Sequence, residues 1–285
     1  DPDYVWSTSE NYPYGGGTQR ASAVRFSPYN LTASDLGTSG YKQIEANRSN
    51  AAFTAYPTQA GAFFQWVHTT KQRYAYHPVN PVGAISSSDW ESSAYADGRN
   101  SYWTTLGSTH ETCPQNYSLT TGTSVNFRRP NDGSTTAVSS DVVAGSEMRQ
   151  SLWEVPQDGG TTSIIGSVWG FYADGFFDRR SHTHAAYGSG TPVANTAVSI
   201  ATKDVAYIGR LFYNRDNKRS LFFPASGYRY ISDGNLNNSG GSGYYWSSST
   251  AHTSTNAFLL SLSSIGANRS NTGRHYGGSV RCVRP

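Results

Sequence analysis

The residues able to do chemistry are few and dispersed. The seven histidines are His68, His77, His110, His182, His184, His252 and His275. His182 and His184 could share one face of a strand, where alternate side chains point the same way. No third ligand follows at a metal-binding spacing, so the pair reads as solvated loop histidines and no metal is expected. The chain has no G-x-S-x-G elbow, no Walker loop and no H-E-x-x-H helix. Asp174-Gly175 and Asp233-Gly234 are turn dipeptides rather than parts of a calcium loop. Glu111, Glu147, Glu154, Asp174 and Asp178 sit among aromatics and could supply a carboxylate pair, with Trp66, Trp90, Trp103 and Trp169 as stacking surfaces for sugar rings. Structural ion pairing is the plainer reading of the same acids. Cys113 and Cys282 form no C-x-x-C motif, which excludes zinc-ribbon and thioredoxin chemistry. They read either as two buried thiols or as one disulfide, and a disulfide would imply an oxidising compartment.

Composition narrows the class. A chain of 285 residues is long enough to bury a sizeable core and corresponds to one or two domains. Charged residues are only 14%, against about 25% in ordinary soluble domains. Aromatics also reach 14%, from 20 Tyr, 12 Phe and 7 Trp. A mean hydropathy of −0.56, with no apolar run of membrane length, excludes a spanning helix. Abundant aromatics and a net charge of +3 argue against disorder. The 22 basic residues are mostly Arg and are scattered, without the stripe that a nucleic-acid footprint needs.

The elements that must position these residues read as follows. Residues 1–20 form an extended arm ending in Gly15-Gly16-Gly17. Residues 22–26 alternate as a short strand, and 62–66 (Ala-Phe-Phe-Gln-Trp) form a buried strand. Residues 70–110 read as a long packed loop. A helix is predicted within 139–153, capped by Ser140 or Asp141 and stopped by Pro156 and Gly159-Gly160. Strands are predicted over 163–172, 204–212 and 220–223, the last ended by Pro224. Phe258, Leu260 and Leu262 alternate with Leu259, Ser261 and Ser263 as a half-buried strand, and 278–283 alternates too. Together these give an α+β domain with short antiparallel strands, one or two helices and long loops. No linker divides it, so residues 21–285 form one domain after the arm. The start at Asp1, without Met or a signal peptide, fits a mature or trimmed chain.

The last sixty-odd residues are the most informative. Leu221, Phe222, Phe223, Trp246, Phe258, Leu260, Leu262, Val280 and Val283 are separated by Tyr, Ser, Thr, Asn, His and Gly. Recognition surfaces use this mixture, because Tyr gives large amphipathic contact with few rotors while Ser, Asn and Gly adapt their hydrogen bonds. The motifs Phe223-Pro-Ala-Ser-Gly-Tyr-Arg229, Gly234-Asn-Leu236, Gly241-Ser-Gly-Tyr-Tyr-Trp-Ser-Ser248, Ala257-Phe-Leu-Leu260 and Ser279-Val-Arg-Cys-Val-Arg284 are ordered along this stretch. Upstream lie Gly61-Ala-Phe-Phe-Gln-Trp66, Cys113-Pro-Gln-Asn-Tyr117 and Phe127-Arg-Arg-Pro130. The set resembles the C-type-lectin-fold domains of bacterial and phage surface proteins, in particular the variable proteins of diversity-generating retroelements and the major paralogous domain group.

That resemblance implies a C-type-lectin-like fold, a Cys113–Cys282 disulfide and a ligand-binding region at about 221–285. It places the ligand face at Tyr230, Ser232, Tyr244, Thr250, His252, Ser254, Ser261, Ser263, Asn268, Ser270, His275 and Tyr276. The Glu-Pro-Asn, Gln-Pro-Asp and Trp-Asn-Asp triplets of calcium-dependent lectins do not occur, so binding without calcium is implied. The cysteines do not match the reactive pair of formylglycine-generating enzymes. The expected function is therefore a non-catalytic adhesion or receptor-recognition module on a cell surface or phage particle. Its partner would be a protein or glycan on another surface, with no cofactor, no nucleic acid and no direct membrane insertion. The alternatives are a carbohydrate-active enzyme with an aromatic cleft and two carboxylates, or a structural tip subunit of a surface fibre.

Overall fold

The computed structural model describes residues 5–6, 24–36, 40–66, 73–78, 85, 89–93, 111–115, 117–119, 167–173, 176–178, 207–214, 219–250, 255–264 and 267–284. The central element is a three-stranded sheet in which strand Asn256–Ser263 lies between Ser242–Thr250 and Ala267–Gly273. Tyr245 is opposite Leu260 and Trp246 is opposite Leu259. Side chains alternate along a strand, so Tyr245, Leu260 and Leu262 share one face while Trp246, Leu259 and Ala257 share the other.

Both faces are covered. The first packs with Phe26, Ile208, Phe212, Leu221, Phe223 and Val283. Several of these come from a four-stranded antiparallel sheet ordered Phe176–Asp178, Ser167–Ala173, Ile208–Asn214 and Arg219–Pro224. The second packs with Leu31, Ile44, Phe64, Trp66, Val280 and Cys282. Two fully buried tryptophans lock this second layer reciprocally: Trp246 Nε1 donates to the Phe64 carbonyl at 2.8 Å and Trp66 Nε1 to the Ser247 carbonyl at 2.7 Å. A Cβ at Gly278 would lie 2.8 Å from Trp246 Nε1, so only glycine lets the backbone pass the indole there.

The strand Cys282–Arg284 is held between two others. Cys282–Arg284 pairs with Val24–Phe26 on one side and Ser118–Leu119 on the other. Cys113 and Cys282 form a disulfide with Cα atoms 6.0 Å apart and a separation of 169 positions in sequence. Next to it, Arg281 is fully buried, and its guanidinium donates to the carbonyls of Ser27, Pro28 and Phe222. It also lies 4.4 Å over the Phe223 ring. Burial pushes this guanidinium down to about 10, so it stays charged at neutral pH, stabilised by backbone dipoles and the aromatic face.

The α+β class is corrected. Every regular element among the described residues is a strand, which places the fold in an all-β, sandwich-like class. The physical reason is that, among the described residues, the clusters on the two faces of the central sheet are closed by strand and loop side chains. The helix predicted over 139–153 lies outside the described residues. Of the other predicted strands, 163–172 is met by Ser167–Ala173 and 204–212 by Ile208–Asn214, with residues 163–166 and 204–206 outside the described residues, and 220–223 becomes Arg219–Pro224. The strand at 278–283 is broken into Gly277–Gly278 and Cys282–Arg284. Within the expected loop 70–110, Tyr74–Tyr76 is a strand paired with Tyr41–Gln43. Tyr76 packs there with Phe63, Ile85 and Trp90 in a third core cluster. Of the arm, Val5–Trp6 pairs with Val24–Phe26.

Two measurements test this frame. Thiol titration of the native chain should find no free thiol, and reduction should lower unfolding free energy by about 4–5 kcal/mol in the chain-entropy account of so long a loop. Arg281→Met and Arg281→Lys should each destabilise by about 2–4 kcal/mol in chemical denaturation, because Met has no donor and the single ammonium nitrogen of Lys cannot replace the two guanidinium nitrogens that reach these carbonyls.

Candidate functional site

After Pro224 the chain turns through Ala225, Ser226 and Gly227. Gly227 has φ of +82°, and a Cβ there would come 2.4 Å from the Asn237 carbonyl. Gly227 bridges Gly243 in a parallel sense, so the residues that follow, Tyr228 and Tyr244, lie side by side. Their rings stack with centroids 4.6 Å apart and planes 10° apart. On the edge of Tyr228–Arg229 opposite Leu236–Asn237, Arg229 pairs with Gly277, which brings in the preceding Tyr276. Tyr276 meets Tyr228 edge-on at 5.8 Å and Tyr230 edge-on at 5.8 Å. His275 lies 5.7 Å from the Tyr276 ring.

What turns these phenols outward is the residue between two of them. Arg229 is fully buried, and its guanidinium donates to the carbonyls of His77 and Gly234. It sits 5.8 Å over the Phe63 ring. Burial lowers it to about 10, leaving it a cation at neutral pH. The turn beyond Tyr230 is closed by the Gly234 amide donating to the Tyr230 carbonyl and by Asp233 Oδ1 accepting from the Asn235 amide at 3.0 Å.

The turn carrying His275 and Tyr276 is fastened by Gln65. Its Nε2 donates to the Glu91 and His275 carbonyls, both at 2.7 Å. Its Oε1 accepts from the Glu91 amide at 3.2 Å and lies 3.2 Å from the Tyr76 hydroxyl, whose single proton goes to the nearer Asp89 carbonyl. This buried amide therefore uses both of its donors and accepts a backbone amide.

Tyrosine hydroxyls divide into two kinds. In the interior, Tyr245 donates to the Pro224 carbonyl at 2.6 Å and Tyr76 to the Asp89 carbonyl at 2.7 Å, while the half-buried Tyr41 donates to Asp89 Oδ1 at 2.9 Å. Among the described residues, no protein group hydrogen-bonds the hydroxyls of Tyr228, Tyr230, Tyr244 or Tyr276. Tyr230 is 39% exposed and the other three are half-buried. Burial, reinforced by the neighbouring phenols, pushes Tyr244 and Tyr276 above the usual phenol range, so both are neutral under physiological conditions. The result is a cluster of half-covered aromatic faces, each with an unpaired donor-acceptor group.

The residues expected at the ligand face divide as follows. Tyr230, Tyr244, His275 and Tyr276 come together in the cluster. Ser261 pairs with Tyr244, and Ser263 follows two positions on, so all three share the outer end of one sheet face. Register puts position 268 opposite Ser261 and Ser270, which is exposed, opposite Leu259 on that same face. Ser232 is exposed at the tip of the turn after Tyr230. Thr250 pairs with Ala257 past a bulge, away from Tyr244. His252 and Ser254 lie outside the described residues. Sequence reasoning missed Tyr228, although its alternation with Arg229 carried the signal, and missed Gln65, for which no local signal exists.

Of the four tryptophans named as stacking platforms for sugar rings, two lie in the core. Trp66 and Trp90 are buried core residues and Trp169 packs against the first core cluster, while Trp103 lies outside the described residues. Glu111 is buried, and its Oε1 accepts from the amides of Thr112 at 2.9 Å and Cys113 at 3.0 Å, fixing the disulfide loop. Glu147, Glu154 and Asp174 lie outside the described residues, and Asp178 ends strand Phe176–Asp178. Among the described residues no three His, Cys, Asp or Glu gather where they could hold a metal.

Replacing Gln65 with Leu should strand the Glu91 amide and the two carbonyls, costing about 2–3 kcal/mol of stability in denaturant titration. It should also broaden the ring signals of Tyr276 in NMR spectra while leaving those of Tyr245 sharp.

A family described only as a domain of unknown function (DUF8237) matches residues 191–283, a span that contains all the tyrosines of the cluster. No curated protein and no solved structure matches the chain significantly.

Proposed function

We propose that this chain is a non-catalytic binding module that grips a protein or glycan on another surface through the Tyr228, Tyr230, Tyr244 and Tyr276 cluster and the adjoining Ser261 and Ser263. The observation that carries the reading is the set of four neighbouring phenols whose hydroxyls have no partner among the described residues, beside two interior tyrosines, Tyr245 and Tyr76, whose hydroxyls are both paired. Aromatic anchors of this kind, with small hydroxyl residues around them, contribute large contact area at little entropic cost. The motif resemblance to the variable proteins of diversity-generating retroelements supports the same reading, as does the scaffold of Trp246 and Gly278 behind the face. A disulfide fits an oxidising setting, so we place the binding at a cell surface or phage particle, without calcium in the face.

The test is an array of glycans and purified surface proteins probed with the wild type. Tyr230→Ala and Ser261→Arg should each weaken the hit about tenfold or more with thermal unfolding unchanged. Because the cluster is made of neutral phenols and hydroxyls, affinity should change less than about twofold between low and high salt. Binding that survives both substitutions, or that collapses in salt, would show that the face is assigned wrongly.

A further inference from the structure

His275 sits in the turn that carries Tyr276, and its ring is wedged against Gly273: a Cβ at 273 would lie 2.5 Å from Cε1 and 2.8 Å from Nδ1. Nδ1 is buried and has no hydrogen-bond partner among the described residues. A neutral imidazole tolerates this, since it can keep its proton on Nε2 and leave Nδ1 as a bare lone pair. An imidazolium cannot, because both nitrogens then carry N–H groups that need acceptors. The backbone here is fixed, with the His275 carbonyl held by Gln65 and the Tyr276 amide donating to the Gly273 carbonyl at 3.1 Å. The ring is therefore the part free to move, and Tyr276 is packed beside it.

We propose that His275 is an acid-sensing switch for the tyrosine face: on protonation its ring leaves the Gly273 wedge, turns toward the Glu91 carboxylate and displaces Tyr276 from Tyr228 and Tyr230. The ionisable groups around it are Glu91 from the 89–93 segment, Arg274 and Tyr276 from its own turn, and Tyr76 behind Gln65. The Arg274 guanidinium is engaged elsewhere, 4.7 Å over the Trp66 ring and donating to the Asn256 carbonyl. Tyr276 and Tyr76 are neutral phenols at this pH. Glu91 is thus the group that favours the cation, while burial opposes it and holds the imidazole below its usual value. A base with a depressed folded value contributes stability that is complete above about pH 6.5 and is lost as the pH falls through the lower folded value. The arranged face is accordingly the neutral-pH form, and an acidic compartment would release what it holds.

The inference rests on the reading of this face as a binding surface, but its test needs no ligand, so the two can fail separately. The full chain, with 13C-labelled His and Tyr rings, is titrated by NMR from pH 8 to 4.5. His275 should titrate below 6.5, and the Tyr276 and Tyr228 ring signals should shift with the same midpoint while Tyr245 stays fixed. His275→Gln should abolish the tyrosine shifts, and Glu91→Gln should move the midpoint to lower pH with the pH 8 spectrum of the tyrosines unchanged. Tyrosine rings that stay still across the His275 titration, or that shift equally in His275→Gln, overturn the proposal, and a midpoint unmoved by Glu91→Gln overturns the role given to that carboxylate.

Discussion

A single buried cation sets the direction of the face. In a strand the side chains alternate, so burying one residue fixes where its neighbours point. Arg229 is fully interior, and its guanidinium, bound by the carbonyls of His77 and Gly234, cannot leave without stranding them. Tyr228 and Tyr230 on either side are thereby turned out, and pairing of Arg229 with Gly277 brings Tyr276 to meet them. The chain repeats the device at Arg281, where three carbonyls surround an interior guanidinium, and at Arg210, whose Nε and Nη2 reach the Ser263 and Ser264 carbonyls at 2.8 and 3.1 Å. A chain with only 19 acidic residues has few carboxylates for buried charges, and backbone carbonyls take that part. Such clamps join segments far apart in sequence, since Arg281 meets Ser27 and Arg229 meets His77.

How much of this was legible in the sequence depended on whether the signal was local. The strand over Asn256–Ser263 was legible because its residues alternate, and register then carried Ser261 and Ser263 to the same face as Tyr244. What sequence could not show is that Leu259 is as buried as Leu260, because only a second layer covering the sheet makes both faces interior. The α+β expectation failed for a related reason. It leaned on a resemblance and on one amphipathic segment, whereas the described core is closed by strands from distant parts of the chain. Tyr74–Tyr76 escaped notice because three residues are too few to show a period, and its partner Tyr41–Gln43 is thirty residues away. The site was partly legible for the same reason: the tyrosines were identifiable by type, but the parallel bridge from Gly227 to Gly243 that stacks Tyr228 on Tyr244 has no local signature.

The contrast between the tyrosines is the firmest guide to function. A buried phenol must satisfy its hydroxyl or lose the free energy of its hydration, and Tyr245 and Tyr76 both do so. The cluster at Tyr228, Tyr230, Tyr244 and Tyr276 covers its rings with one another and leaves the polar ends to solvent. Ring-on-ring packing of this kind keeps large aromatic surfaces ordered without a partner, which lowers the entropy lost when one arrives. Rigidity beneath the face comes from Trp246 and Trp66, each tied to the other's strand, and from glycines that admit them at close range. Changes confined to the outer side chains would leave that support intact. The same separation explains why His275 differs from its neighbours: alone among the described residues of the face it has an unpaired ring nitrogen inside, so it is the point at which solvent acidity reaches the packing under the tyrosines.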